Sequence, residues 1–484
     1  AGVGEASARF PSALAGLGLT LLTFAGARRW FDGSTGVLAG VVTATSFGYV
    51  MMSRQALPDL PLAFLITLTT WAALLAWLDD PAETGGRVRG TGERRGWLVV
   101  AAAAGAGAFL TKGPVGIAIP ALIVLPLLGG EVWSGRSTWR VRGSDVAIAL
   151  LVFLVLATPW FLSMTLVHGV GYLDRFFIEE NLERFATTRY NDPRPLWYYL
   201  PIVFGGMLPW SPFMLLWLPA IGGFVGRQRR IPTAELRLIW WALAPLLLFT
   251  VSTGKQPRYI LPILPPLAIL LARTIHRRLQ ATSTPDRLLG ACAGLAAVLL
   301  LIAGGLALHA RPLFLDWNTT WTTGVALAVV FSGLGVLIAA WRRTWIPHAL
   351  VAATIVTGLG IHLVLLSAPG PAPVERMAEI IADAQPANTP YGRLRVFNRN
   401  LGFYTERQFV ELSALDAARD FLSSPTRVLC VLLAEDVDRL EAAGVSLVRL
   451  GETTYLNTGT LNFRAILDPD PVTRIRHVVL VANR

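Results

Sequence analysis

Five ionisable residues, Asp59, Lys112, Arg184, Lys255 and Arg258, stand beside or between apolar runs that offer little reason to keep a charge. Asp59 closes the turn Ser53-Arg54-Gln55-Ala56-Leu57-Pro58-Asp59 and is followed at once by Leu60-Pro61-Leu62. A carboxylate at a membrane edge is costly and usually serves a cavity or a catalytic step, although a helix N-terminus also favours an anion. Lys112, in Leu110-Thr111-Lys112-Gly113-Pro114, follows about fourteen apolar residues, roughly 21 Å of helix. At that depth its ammonium calls for an anionic partner or a wet cavity; snorkelling to the headgroups is the alternative. Gly113-Pro114 breaks the helix there and exposes amides that an anion could use.

Two further clusters carry the same mixture. Residues 169–195 hold an amphipathic helical pattern with Tyr172, Asp174, Arg175, Phe176, Phe177, Glu179, Glu180, Asn181, Glu183, Arg184 and Phe185. An interfacial helix explains its aromatics better than its acids and arginines. The turn Ser252-Thr253-Gly254-Lys255-Gln256-Pro257-Arg258-Tyr259 offers two cations and an aromatic, which a lipid-headgroup anchor would also show. Together the clusters suit transfer from a phosphate-linked donor, with Asp59 orienting or activating the nucleophile and Lys112, Arg184, Lys255 and Arg258 holding the departing phosphate. Arg54, Glu179, Glu180, Asn181 and Tyr259 are expected to line the substrate cleft. Other chemistries lack their residues: there is no HExxH, no GxSxG, and no GxGxxG or P-loop in the tail. Cys292 and Cys430 lie far apart, so neither a disulfide framework nor thiolate metal ligation is expected.

These clusters need a membrane to position them. The chain is 54% hydrophobic and 15% charged, with a mean hydropathy of +0.54, well outside the range of soluble enzymes. Apolar segments run over roughly 11–27, 36–52, 60–78, 97–110, 113–129, 145–165, 197–222, 236–252, 258–273, 288–308, 322–340 and 346–366, giving about twelve transmembrane helices. The fourth and fifth are short enough for a re-entrant pair. One set of alternate loops holds nineteen arginines, from Arg28 and Arg29 to Arg342 and Arg343; the other holds ten cations, including Arg54, Lys112, Lys255 and Arg258. The positive-inside rule makes the first set cytoplasmic and puts Asp59, Lys112, Lys255 and the tail outside. It also accounts for the net charge of +11 without nucleic acid. Trp197, Tyr198, Tyr199 and Trp210 read as an aromatic belt. After about residue 367, strand-length runs at Leu394–Asn398, Arg427–Leu433, Ser446–Leu450 and His477–Val481 alternate with helical patterns. That alternation predicts a small α/β domain over 367–484, with a partly parallel sheet, following a membrane domain over 1–366. Ala1–Phe10 shows neither an initiator Met nor a signal peptide, so a missing beginning is expected.

The run Arg54–Leu62, Leu110-Thr111-Lys112-Gly113-Pro114, Phe176-Phe177 through Glu183-Arg184-Phe185, Leu208-Pro209-Trp210 and Lys255-Gln256-Pro257-Arg258-Tyr259-Ile260-Leu261-Pro262 occur in an order that resembles the bacterial GT-C glycosyltransferases. The aminoarabinose transferases of lipid A and the protein O-mannosyltransferases are the members most like it. The resemblance implies a multi-pass enzyme of the bacterial cytoplasmic membrane. Such an enzyme moves a sugar from a polyprenyl-phosphate donor to a lipid, glycan or protein acceptor on the outer face; inversion by direct displacement is expected because no side chain is an obvious covalent nucleophile. It implies that Asp59 matches the acidic residue of the family's second outer loop, and that Lys112, Arg184, Lys255 and Arg258 lie near the carrier phosphate. It also implies a first span and a further catalytic acid upstream of Ala1. Asn181 stands where relatives often have His, so a divalent metal is left open and no metal ligand is assigned. A non-catalytic transporter or flippase of lipid-linked sugars is the alternative; it would need polar groups along a path to both faces.

Overall fold

The computed structural model describes residues 4–78, 90–133, 142–187, 193–219, 222, 232–281, 286–311, 319–366, 372–384, 389–397, 400–456, 467–470 and 475–484. Arg87, Arg89, Arg136, Arg140, Arg189, Arg227, Arg229 and Arg230, which entered the arginine count, lie outside these residues. Two compact units form: residues 1–300 with 332–355, and residues 301–331 with 356–484.

Helix runs through each of the twelve apolar segments among the described residues. Among the described residues, eight helices are long and apolar enough to cross a membrane, or up to ten when each of two bent pairs is one span. The first unit begins with α1 (Glu5–Trp30), α2 (Gly33–Thr45), α3 (Phe47–Ser53), α4 (Asp59–Trp77), α5 (Thr91–Lys112), α6 (Val115–Trp133) and α7 (Gly143–His168). Outside the count of ten stand α5 and α6, the pair joined at Lys112. Alanine and glycine dilute the apolar stretch of α5, and Glu93, Arg94 and Arg95 occupy its first turns. The chain is a multi-pass α-helical membrane protein.

Burial sorts these helices. Of the most apolar stretch of α4, 67% is buried, against 6% for α7, whose leucines and valines face outward as a lipid-exposed helix requires. α4 packs at the centre through Trp71, whose ring centroid lies 4.2 Å from that of Trp30 and 5.4 Å from that of Trp241. A Cβ on Gly26 would come within 2.2 Å of Trp71, so only glycine lets α1 approach there. α2 and α3 meet at 64° around Ser46, where Thr43, Thr45 and Ser46 turn their hydroxyls back onto carbonyls four residues earlier. Such back-bonding competes with the helical ladder and favours a bend.

The second bent pair, Leu196–Gly206 and Ser211–Trp217, folds by 111°. The fold carries Trp210 into the core, where its indole N–H donates to Thr45 Oγ1 at 2.8 Å, and buries Tyr199 as well. The aromatic-belt reading therefore fails for these two, whereas Trp197 stays exposed.

In the second unit, residues 373–482 build a five-stranded sheet in the order β2-β1-β3-β5-β4. The strands are β1 (Tyr391–Leu394), β2 (Val410–Leu412), β3 (Leu429–Leu433), β4 (Val448–Leu456) and β5 (Ile475–Ala482). β2, β1 and β3 are parallel; β5 pairs antiparallel with β3 and β4. Leu429 and Val431 pack with the helices Pro373–Asp383 and Leu401–Thr405, and Cys430 and Leu432 with Leu415–Leu422 and Ala434–Ala442. Alternation along β3 thus covers both faces of the sheet. The strand expected at Leu394–Asn398 ends at Leu394, because Arg395 and Phe397 adopt positive φ values of 56° and 48°.

Candidate active site

Asp59 opens the first turn of α4 and is 5% exposed, yet its side chain caps nothing. Oδ1 pairs with the Lys112 ammonium, and Arg258 Nε lies 3.1 Å from Oδ2. Arg258 Nε forms no aligned hydrogen bond, so this second contact is a charge contact. The Lys112 ammonium also stands 4.5 Å from the Tyr259 ring centroid, within cation–π range. Two cations on one carboxylate leave the group with net positive charge.

Each member comes from a helix end. The turn before α4 is fixed by Ser12, whose hydroxyl donates to the Leu57 carbonyl at 2.9 Å. Lys112 ends α5, and Gly113 reverses the chain at φ 71° before α6. Arg258 and Tyr259 lie in the 3-10 turn Pro257–Ile263, which Pro257 initiates and which runs directly into the helix Leu264–Gln280. A π-helix, Arg175–Glu183, supplies Glu180 and Asn181. Its register is held by Phe176 and Phe177, packed on Phe161 of α7 at centroid distances of 5.3 Å. The following turn is stitched to the Ser252–Gly254 segment: the Phe185 carbonyl accepts from Thr253 N–H at 3.0 Å and Ser252 Oγ at 2.9 Å.

These elements enclose a cleft of about 580 Å³, open solvent included. Asp59, Lys112, Arg258, Tyr259, Glu180 and Asn181 form its polar side; Leu62, Val115, Ile119, Phe249 and Pro262 form much of the rest. The mixture of apolar wall and convergent polar groups is typical of ligand sites.

The other expected residues lie elsewhere. Lys255 is 6% exposed and donates to the carbonyls of Ser252 at 2.6 Å and Arg194 at 3.3 Å, so its ammonium ties two backbone segments together outside the cleft lining. Arg54 ends α3, and Glu179 belongs to the π-helix; neither lines the cleft. The Arg184 side chain lies outside the described residues. Among the described residues, no group of three His, Cys, Asp or Glu side chains is placed to hold a metal ion. The apolar wall escaped sequence reasoning, because Leu62, Val115, Ile119 and Phe249 read like any packing residues of a span.

The family model for dolichyl-phosphate-mannose-protein mannosyltransferases matches residues 1–163. Over 322 residues the chain is 33% identical to the undecaprenyl phosphate-alpha-4-amino-4-deoxy-L-arabinose arabinosyl transferase of Edwardsiella ictaluri, covering 65% of this chain and 54% of that protein. The same-named protein of Enterobacter sp. is 31% identical over 307 residues, 62% and 51% of the two chains. The chain thus spans about half the length of these curated relatives. Crystalline ArnT from Cupriavidus metallidurans, bound to undecaprenyl phosphate, superposes with a TM-score of 0.71 at 23% identity, covering 99% of this chain and 84% of that one. The fold is thus that of crystalline ArnT, and the sequence is similar to the aminoarabinose transferases and, over residues 1–163, to the protein mannosyltransferase family model.

Proposed function

We propose that the protein transfers a sugar from a polyprenyl-phosphate donor to a lipid, glycan or protein acceptor at the outer face of the bacterial cytoplasmic membrane. The carrying observation is the buried Asp59 with Lys112 and Arg258 on its two oxygens, set beside an apolar wall. A positively charged group suits a phosphate, and the wall suits a lipid-borne ligand. Support for the donor comes from relatives whose names specify an undecaprenyl phosphate-linked aminoarabinose, and from a fold neighbour that binds undecaprenyl phosphate.

In this reading Lys112 and Arg258 hold the departing phosphate. An acceptor oxygen attacks the anomeric carbon from the opposite side, the carbon–oxygen bond to phosphate breaks, phosphate leaves with the bonding electrons, and the proton of a hydroxyl acceptor passes to a cleft carboxylate. The anomeric configuration inverts. Asp59 keeps the two cations side by side and orients the acceptor; Glu180 is the other carboxylate of the cleft. Lys255 acts indirectly by fixing the turn that precedes Arg258. The outward placement of the cleft, and of the domain over 367–484, rests on the arginine asymmetry.

The test uses membranes carrying the protein, undecaprenyl phosphate bearing a labelled sugar, and the Asp59→Asn variant. Transfer by wild type and its loss in the variant are expected. Undiminished transfer by Asp59→Asn removes Asp59 from the mechanism. Carrier translocation without any transfer favours the flippase.

A further inference from the structure

Most polar groups at the cleft already have partners within the protein. Lys112 and Arg258 flank Asp59, and the Ser252 hydroxyl donates to the Phe185 carbonyl. Asn181 differs. Its Nδ2 donates to the Phe176 carbonyl at 2.8 Å. A carbonyl oxygen can only accept, so this bond fixes which end of the amide is which. Oδ1 must then point the other way. It accepts no hydrogen bond among the described residues and is not sealed from solvent, and Asn181 lines the cleft.

Gly113 holds the amide in this pose. A Cβ there would lie 2.9 Å from Asn181 Nδ2 and 3.0 Å from the Phe176 ring, so the bare backbone packs directly on the amide. The outcome is a fixed, neutral hydrogen-bond acceptor beside a positively charged group. A carbamoyl oxygen adds no further negative charge to a cleft that already holds Asp59 and Glu180. Any sugar carried on a phosphate at Lys112 and Arg258 enters the same cleft, where much of the wall is apolar. A hydroxyl or ammonium buried there needs an acceptor, because leaving it unpaired forfeits its hydration.

We infer that Asn181 Oδ1 recognises one hydroxyl or ammonium group of the transferred sugar and so helps to select the donor. This rests on the lipid-phosphate reading above. The experiment measures donor binding and transfer in parallel for wild type, Asn181→Leu and Asn181→Asp. The probes are undecaprenyl phosphate, undecaprenyl phosphate-linked pentoses and hexoses, and their mono-deoxy or deamino analogues. Wild type should prefer one parent sugar over one such analogue by roughly tenfold. Asn181→Leu should bring that ratio to within about twofold, and Asn181→Asp, which keeps an acceptor oxygen but loses the donor to the Phe176 carbonyl, should fall between wild type and Asn181→Leu. A ratio within one preparation is independent of how much protein folds. An equal loss for the parent and every analogue in Asn181→Leu overturns the role of Asn181 and leaves the lipid-phosphate reading standing. Sugar-linked lipid binding no tighter than undecaprenyl phosphate also overturns it. Binding without transfer defeats the transferase reading alone, and the binding ratios still decide Asn181.

Discussion

Asp32 and Asp59 lie at opposite ends of the bent pair α2–α3, each beside a helix start and each with two basic neighbours. Asp32 caps α2: Oδ1 accepts from Thr35 N–H at 2.8 Å and Oδ2 from the Thr35 hydroxyl at 2.9 Å. Arg273 reaches Oδ2 at 2.8 Å, and His276 Nε2 lies 3.5 Å from Oδ1. Its oxygens serve the α1–α2 corner, and its side chain is 38% exposed. Asp59 accepts no cap bond, is nearly sealed from solvent, and shares its cations with a cleft. The ingredients are alike. Whether the carboxylate completes the fold or leaves charge facing a cavity separates a structural aspartate from a candidate catalytic one.

The sharpest way to break this contrast is to neutralise each residue. Asp59→Asn should lower transfer about a hundredfold or more, the scale of losing a preorganised electrostatic group. Asp32→Ala should leave transfer within about threefold and cost ~1 kcal/mol of stability as a lost N-cap, seen as a lower unfolding midpoint in detergent. Next in size, Lys112→Met and Arg258→Met should each reduce transfer roughly tenfold to a hundredfold and weaken binding of undecaprenyl phosphate. If Arg273→Met weakened that binding equally, the two clusters could not be told apart by function.

A smaller effect is expected at Gly113, where the residue's left-handed backbone meets Asn181 and Phe176. Gly113→Ala should cost about 1–3 kcal/mol through strain at φ 71° and the close Cβ contact. Lys112, the preceding residue, would shift with it. Reduced donor binding beyond what the lowered unfolding midpoint explains would show that the turn positions the ammonium.

The polar side of the cleft was legible in the sequence because a charge in an apolar context is expensive, so Asp59, Lys112 and Arg258 stood out without any structure. Lys255 stood out for the same reason, yet its ammonium is held by two carbonyls. Rarity marks a buried cation; only coordinates tell a backbone tie from a ligand-facing group. Tyr199 and Trp210 were misread because span ends look alike until the 111° bend turns one of them inward. In the sheet, β3 was found within two residues, since a buried strand is a short apolar run. β2 was missed. It has three residues, two of them exposed, and too little pattern to register.

The smallest expected effect concerns acid. Partial burial works against ionisation of Asp32, but the Thr35 N–H and hydroxyl bonds, then the charges of His276 and Arg273, outweigh it and hold its carboxyl below the ordinary range. A lowered folded-state pKa contributes stability that is complete above the unfolded value, near 4, and is lost as pH falls through the folded value. The gap in unfolding midpoint between wild type and Asp32→Ala should therefore stay constant from neutral pH to about 5 and narrow only below about 4. Because Asp32 is partly exposed, salt should shrink the ionic part of that gap while leaving the Thr35 cap bonds in place. A gap that closed already near pH 6 would rule out ionised Asp32 as the source of the corner's stability.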